Sequence, residues 1–367
     1  MSTLGINDLK QFALPTGWDA SELLKYELAD GATYEAAIND ILGGLIATTQ
    51  DMLNDPFYGQ LVRVTTELGR EVRDGVATTG MSARTEYQKA DPKRGKTIGW
   101  MFPLNSYDRT LGWTWDFLRR ARQSQLDSDI ETAVYDVRDN WERQILTRFF
   151  SITENQLGTS GYDVPFVKGT GSVAYTPPAA MGQTFANTHT HFDRKTDDAT
   201  GWAAALEAGA AHLHEHGIMA PYIGIVPFAD RANFTSLTGF IKPDRGVTYI
   251  QAVSTSALTV ARMDETFFGM YETALGLVQL YASYRLPVNY FGMFKGYGAN
   301  TPRNPLAMRV DPQFGASPVL LSGEGHRHYP LENATIVHEF GIGVNDRLNG
   351  YACEFDSSGS YAAPTIS

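Results

Sequence analysis

Apolar residues recur along this chain with two different periods, and each period marks its own class of element. Helical spacing comes first, from Tyr34 to Leu53, where Ile38, Ile41, Leu42, Leu45, Ile46 and Leu53 fall on one side. Gly43-Gly44 interrupts that stripe and is a place for it to bend. A longer stripe follows Ser128-Asp-Ile-Glu131, which has the form of a capping box. Ile130, Val134, Val137, Trp141, Ile145 and Phe149 step by three or four residues while polar residues fill the other side, which predicts an amphipathic helix of about six turns over 128–150. Gly201 to His216 is alanine-rich and helical, with Gly217 placed as its C-terminal cap. Ala229 to Phe234 starts a further helix.

Period two governs most of the rest. Between Leu61 and Trp115, Val62, Val64, Val72, Val76, Met81 and Tyr87 alternate with polar residues, and Ile98, Trp100 and Phe102 resume the alternation. The charged stretch Lys89 to Lys96 divides the two runs, so a long hairpin with a positive tip is predicted. Tyr222 to Val226, Leu275 to Ser283 and Leu286 to Phe294 are strand-like. Residues 156–198 are rich in Gly, Thr, Pro and Asp and predict loops with short strands. Near the end, Ile336, His338, Phe340, Ile342 and Val344 point to one strand face, and Tyr351, Cys353 and Phe355 alternate as a return strand. Gly341 and Gly343 remove two side chains, so another segment can lie close against them. The 128–150 helix, through Val137, Trp141 and Ile145, is the expected neighbour. Residues 1–30 read as an extended arm, and no internal repeat is found.

Composition narrows the function classes. At 367 residues, 43% of them hydrophobic, the chain can bury a large core. Its net charge of -11 lacks the basic surplus of a dedicated nucleic-acid binder. The single cysteine, Cys353, excludes an internal disulfide and suits a reducing compartment. The N-terminus has no signal-peptide pattern, and no apolar run is long enough for a membrane span.

The strongest candidate chemistry is a set of histidines. Thr188-His-Thr-His191 and His212-Leu-His-Glu-His216 supply five imidazoles within thirty residues, and imidazole suits zinc. Yet Glu215 stands beside His216 rather than in the His-Glu-x-x-His order of a zinc protease, and no partner downstream has a convincing context. Histidines at a helix C-terminus are also favoured electrostatically without any metal. No catalytic, cofactor-binding or metal-ligating residue is therefore assigned. Gly95-Lys96-Thr97 fails as a phosphate loop, because Ala90 stands where the first glycine belongs and a strand follows. The aromatic run Trp100, Phe102, Trp113 and Trp115 is read as packing rather than a ligand wall.

In order, these elements resemble the major capsid proteins of tailed bacteriophages, the Hong Kong 97-type fold shared with encapsulin shells. The resemblance rests on the arm, the long two-stranded loop at 62–115 and the single long helix at 128–150, which is similar to the family's spine helix. Thr184 to Asp193, Tyr222 to Asp230, Leu286 to Tyr290, Arg309 to Pro312 and His338 to Gly350 look like later family segments. It implies an α+β capsid fold divided into a 1–60 arm and helix, a 61–117 extended hairpin, a 118–198 peripheral domain, a 199–325 axial domain, and 326–367 closing strands and tail. The implied function is non-enzymatic. Pentamers and hexamers of the chain would form an icosahedral virion shell around double-stranded DNA, assembled in the host cytoplasm. Implied partners are other copies of the chain, separate scaffolding, portal and decoration proteins, and DNA held weakly. An encapsulin-like compartment is the alternative within the fold. A metal-dependent hydrolase using His189, His191, His212 and His216 is the alternative from another class.

Overall fold

The computed structural model describes residues 34–75, 96–169, 171–243, 267–322 and 331–366. The expected arm at 1–30 and the hairpin tip at 89–95 lie outside the described residues. In chain order the elements begin with α1 (Tyr34–Asn54), α2 (Tyr58–Leu61), β1 (Val62–Thr65), β2 (Gly69–Arg73), β3 (Thr97–Met101) and β4 (Asn105–Thr114). Next come α3 (Trp115–Arg120), α4 (Gln123–Phe150), β5 (Asn155–Leu157), β6 (Gly161–Asp163), β7 (Phe192–Lys195) and α5 (Ala199–Glu215). The remainder is β8 (Tyr222–Pro227), α6 (Arg231–Thr235), β9 (Phe240–Ile241), β10 (Phe267–Thr273), β11 (Gly276–Ser283), β12 (Tyr290–Phe294), β13 (Leu306–Val310), β14 (Val319–Ser322), β15 (Leu331–Val344) and β16 (Tyr351–Phe355). Among the described residues no helix is long and apolar enough to cross a membrane.

Two compact units are formed. The first comprises Met1–Asn54, Leu104–Glu142 and Val310–Phe340, and the second Asp55–Pro103, Arg143–Arg309 and Gly341–Ser367. The chain passes from one to the other within α4, at the last residue of β13 and within β15, and also between elements at Asn54 and Pro103.

In the first unit β15 pairs antiparallel with β4 from Leu331↔Thr114 to Phe340↔Asn105, and with β14 along its other edge. Ala334, Ile336, His338 and Phe340 are buried while Thr335, Val337 and Glu339 are half-buried, the alternation that period two predicts. Leu111, Trp113, Ala334 and Ile336 meet Leu126, Ile130, Ala133 and Val137 of α4, with Leu45 of α1. The helix starts earlier than the capping box implied. Gln125 accepts a hydrogen bond from the Arg122 amide at 3.1 Å and so serves the helix start, leaving Ser128 and Glu131 inside the helix. Its 28 residues extend it to about 42 Å. Leu42 and Ile46 of α1, read as core-facing, are 38% and 52% exposed.

In the second unit β2 and β3 form the predicted hairpin legs, registered Gly69↔Met101 to Arg73↔Thr97. β4 is not part of that hairpin, because its partner is β15. A mixed sheet runs β7-β16-β12-β8-β11-β10-β9. α5 lies close on one face of this sheet, where a Cβ on Gly209 would stand 2.9 Å from the Tyr351 ring and 3.1 Å from Met293. The last turn of α4 covers the other face, where a Cβ on Gly292 would stand 2.5 Å from Phe149.

Two expectations for the closing segment are corrected. β16 does not fold back onto β15; it pairs antiparallel with β12 and parallel with β7. The intervening Asn345–Gly350 is a largely buried corner built on a turn, with the Asn349 backbone amide donating to the Asp346 carbonyl at 3.2 Å. The Asn345 amide donates to the carbonyls of Pro302 and Asn304, and that of Asn349 to Lys295 and Arg303. The neighbour of Gly343 is not the long helix. A Cβ there would stand 2.7 Å from Cδ1 of Phe102, 3.2 Å from Pro103 and 3.3 Å from Asp163. Phe102 is held in turn by a small core with Trp100, Val164 and Ala307. The Trp100 indole donates to the Val344 carbonyl at 2.5 Å, and the buried Arg347 guanidinium stacks over the same ring.

Candidate metal centre

Two chain segments of the second unit deliver the histidines. His189 and His191 sit two residues apart in the loop that leads from a turn at Ala186–His189 into β7, and their rings stand with centroids 5.1 Å apart. Backbone bonds fix this segment on both sides, since the His191 amide donates to Val167 and the Ala352 amide donates to the His191 carbonyl. His212, Glu215 and His216 come from the end of α5. Asp198 opens that helix by accepting from the Gly201 amide at 2.7 Å. Gly217, at φ +79°, closes it as predicted, with the Ile218 amide returning to Leu213.

The two segments bring three imidazole nitrogens together. Nε2 of His191 lies 2.9 Å from Nε2 of His216 and 3.2 Å from that of His189, and His189 and His216 are 3.2 Å apart. Oε1 of Glu215 completes the group, 3.1 Å from His189 Nε2 and 3.8 Å from His216 Nε2. Of the five histidines, His212 and His214 are left out of this set, and His212 stands beside it. Its Nδ1 donates to Glu215 Oε1 at 2.9 Å, and its ring stacks on Tyr351. Phe185 covers the rings of His189 and His216.

The set is largely buried, and the tautomer of His191 leaves a lone pair facing inward. His191 is fully buried, the side chain of His216 is 0% exposed, and those of His189 and Glu215 are 15% and 19% exposed. Nδ1 of His191 contacts the Gly350 carbonyl at 2.7 Å. A carbonyl only accepts, so Nδ1 carries the proton and Nε2 of the neutral ring presents a lone pair. Burial, then the neighbouring imidazoles, hold His191 well below the usual histidine pKa and push His216 down to about 3. Burial also lowers His189, with Glu215 opposing.

Chemically this is a compact His3Glu donor set with no fourth side left open. A hydrolytic zinc keeps one coordination position for water or substrate, whereas here the carboxylate occupies that position. The arrangement suits holding a cation more than performing hydrolysis. The sequence pattern singles out His189, His191, His212 and His216 alike and gives Glu215 no place as a ligand, whereas the structure brings Glu215 in and leaves His212 beside the set. The i,i+2 pair and the acidic residue between two histidines were legible. The meeting of residues 189–191 with 215–216 was not.

No family model matches the chain, and no curated protein matches it in sequence. Likeness is found in the fold. A solved structure from Mycobacterium phage Patience gives a TM-score of 0.64 at 19% identity, covering 94% of each chain. The asymmetric unit of the bacteriophage PhiM1 mature capsid gives 0.51 at 10% identity, covering 82% of this chain and 87% of that chain. The chain thus has the α+β phage capsid fold expected from its element order.

Proposed function

We propose that this chain is a tailed-phage major capsid protein, a structural subunit that self-assembles into pentamers and hexamers of an icosahedral shell around double-stranded DNA. The observation that carries the reading is a fold shared with the PhiM1 mature capsid and, over 94% of each chain, with the Patience structure. In this reading α4 is the spine helix, residues 199–325 form the axial domain, and the arm and hairpin reach onto neighbouring subunits. Scaffolding, portal and decoration proteins are separate chains, and the net charge of -11 lets packaged DNA remain loosely held.

Exposed apolar side chains support contacts between copies. Leu42 and Ile46 present one such surface on the first unit. On the second unit Phe228 and Tyr284 stack at 4.2 Å while 39% and 68% exposed, with Val288 53% exposed. Ring and shell contacts between copies would cover such surfaces.

Negative-stain microscopy of the purified chain tests the proposal. Rings or closed shells are expected, and a monodisperse monomer under every assembly condition would overturn it. Phe228→Asp and Tyr284→Asp should abolish shells while leaving the thermal midpoint of the subunit unchanged.

A further inference from the structure

We propose that His189, His191, His216 and Glu215 bind one Zn2+ as a closed structural site that ties the end of α5 to the segment entering β7. Four ligands at about 2.0–2.2 Å from a tetrahedral zinc lie about 3.3 Å from one another. The described separations among the four donor atoms include 2.9, 3.1, 3.2, 3.2 and 3.8 Å, and all four atoms fall within 4.8 Å of each other. Protons alone serve this geometry poorly. His216 can donate to His191 and His189 to Glu215, which leaves two nitrogen–nitrogen contacts at 3.2 Å with nothing shared between them. One cation at the centre satisfies all three lone pairs and the carboxylate together.

His191 and Glu215 have the surroundings of metal ligands, while Nδ1 of His216 is buried with no hydrogen-bond partner. Ligating imidazoles characteristically donate their second N–H to a carbonyl or carboxylate, and His191 does so to Gly350. His212 orients Glu215 in the same supporting manner. The C-terminal end of the 17-residue α5 adds a negative dipole end facing the site. Three imidazoles and one carboxylate favour Zn2+ over Ca2+ or Mg2+, which prefer all-oxygen cages. Because Gly350 immediately precedes β16, the metal would lock the helix, the β7 entry and the β16 entry as one block. A closed set of this kind contributes folding energy rather than chemistry.

This inference is independent of the shell reading, since it is tested on the unassembled full-length chain. After chelator treatment, Zn2+ titration followed by calorimetry and elemental analysis should give one equivalent per chain. Co2+ substitution should give the intense visible bands of four-coordinate cobalt. Zn2+ at a hundredfold excess over its Kd should raise the thermal midpoint by about 3–4 °C. His189→Gln and Glu215→Gln lie at the more exposed edge and should fold. Each should weaken Zn2+ at least about a hundredfold, and His212→Gln about tenfold, as a supporting-shell change does. His338→Gln, a histidine outside the set, should keep one tight equivalent. A parent chain that takes up no stoichiometric Zn2+ would overturn the proposal, as would His189→Gln and Glu215→Gln binding it with undiminished affinity.

Discussion

Gly343→Ala tests the packing at the closing strand. The new Cβ would sit 2.7 Å from Cδ1 of Phe102, where carbon atoms ordinarily rest about 3.5–4.0 Å apart. Relief requires the ring to move by about 1 Å. Phe102 is 1% exposed and wedged among Trp100, Val164 and Ala307, so the shift is passed on rather than absorbed. Overpacking of a tight core costs about 1–3 kcal/mol, and replacing glycine in a strand returns about 0.5–1 kcal/mol. A net loss of about 1–2 kcal/mol is expected for alanine, and more for valine. Phe102→Leu alone should cost about 1 kcal/mol but make room for the added methyl. The double variant should then be more stable than the sum of the single losses by about 1 kcal/mol. Urea unfolding of the unassembled subunit measures all four proteins, with fluorescence of Trp100 reporting from the same core. Alanine at 343 within about 0.3 kcal/mol of the parent would refute the close approach, and strict additivity would refute Phe102 as the neighbour.

Two other outcomes follow from the same region. Asn349→Ala removes two bonds donated to Lys295 and Arg303 and one accepted from the Lys295 amide, all at a fully buried site. A loss of about 2–4 kcal/mol in urea unfolding is expected, and a change under about 1 kcal/mol would show that the corner is not held this way. His338 is buried, its Nε2 donates to the Ala316 carbonyl, and burial pushes its pKa down to about 4. The folded chain therefore binds the proton less readily than the unfolded chain. Stability is full above about pH 6.5 and falls as pH drops toward 4, by up to roughly 3 kcal/mol. The stability of the parent relative to His338→Met should fall accordingly from pH 7 to 4, and a pH-independent difference would contradict the assignment.

Sequence periodicity alone determined the local architecture. The helices at 34–53, 128–150 and 201–216, the strand alternation at 336–344 and the cap at Gly217 all hold, because burying one face imposes a repeat that survives wherever the element lies. In the first helix, among the described side chains of the apolar stripe, only Leu45 is buried, while Leu42 and Ile46 face outward. The order of those elements also carried the fold, which depends on sequence along the chain more than on any single motif. Partner choice was beyond it. β16 joins β12 and β7 instead of β15, and the corner before it is held by the buried side-chain amides of Asn345 and Asn349, whose acceptors lie more than forty residues away. Gly343 announced a close approach, but only the fold supplies Phe102 as the thing approached. The histidines show the same division. Spacing placed His189 beside His191 and His212 near His216, while the tertiary structure alone set Glu215 among them and moved His212 to a supporting position. Periods are local physics and can be read from one segment; a coordination shell is a meeting of segments and exists only once the chain has folded.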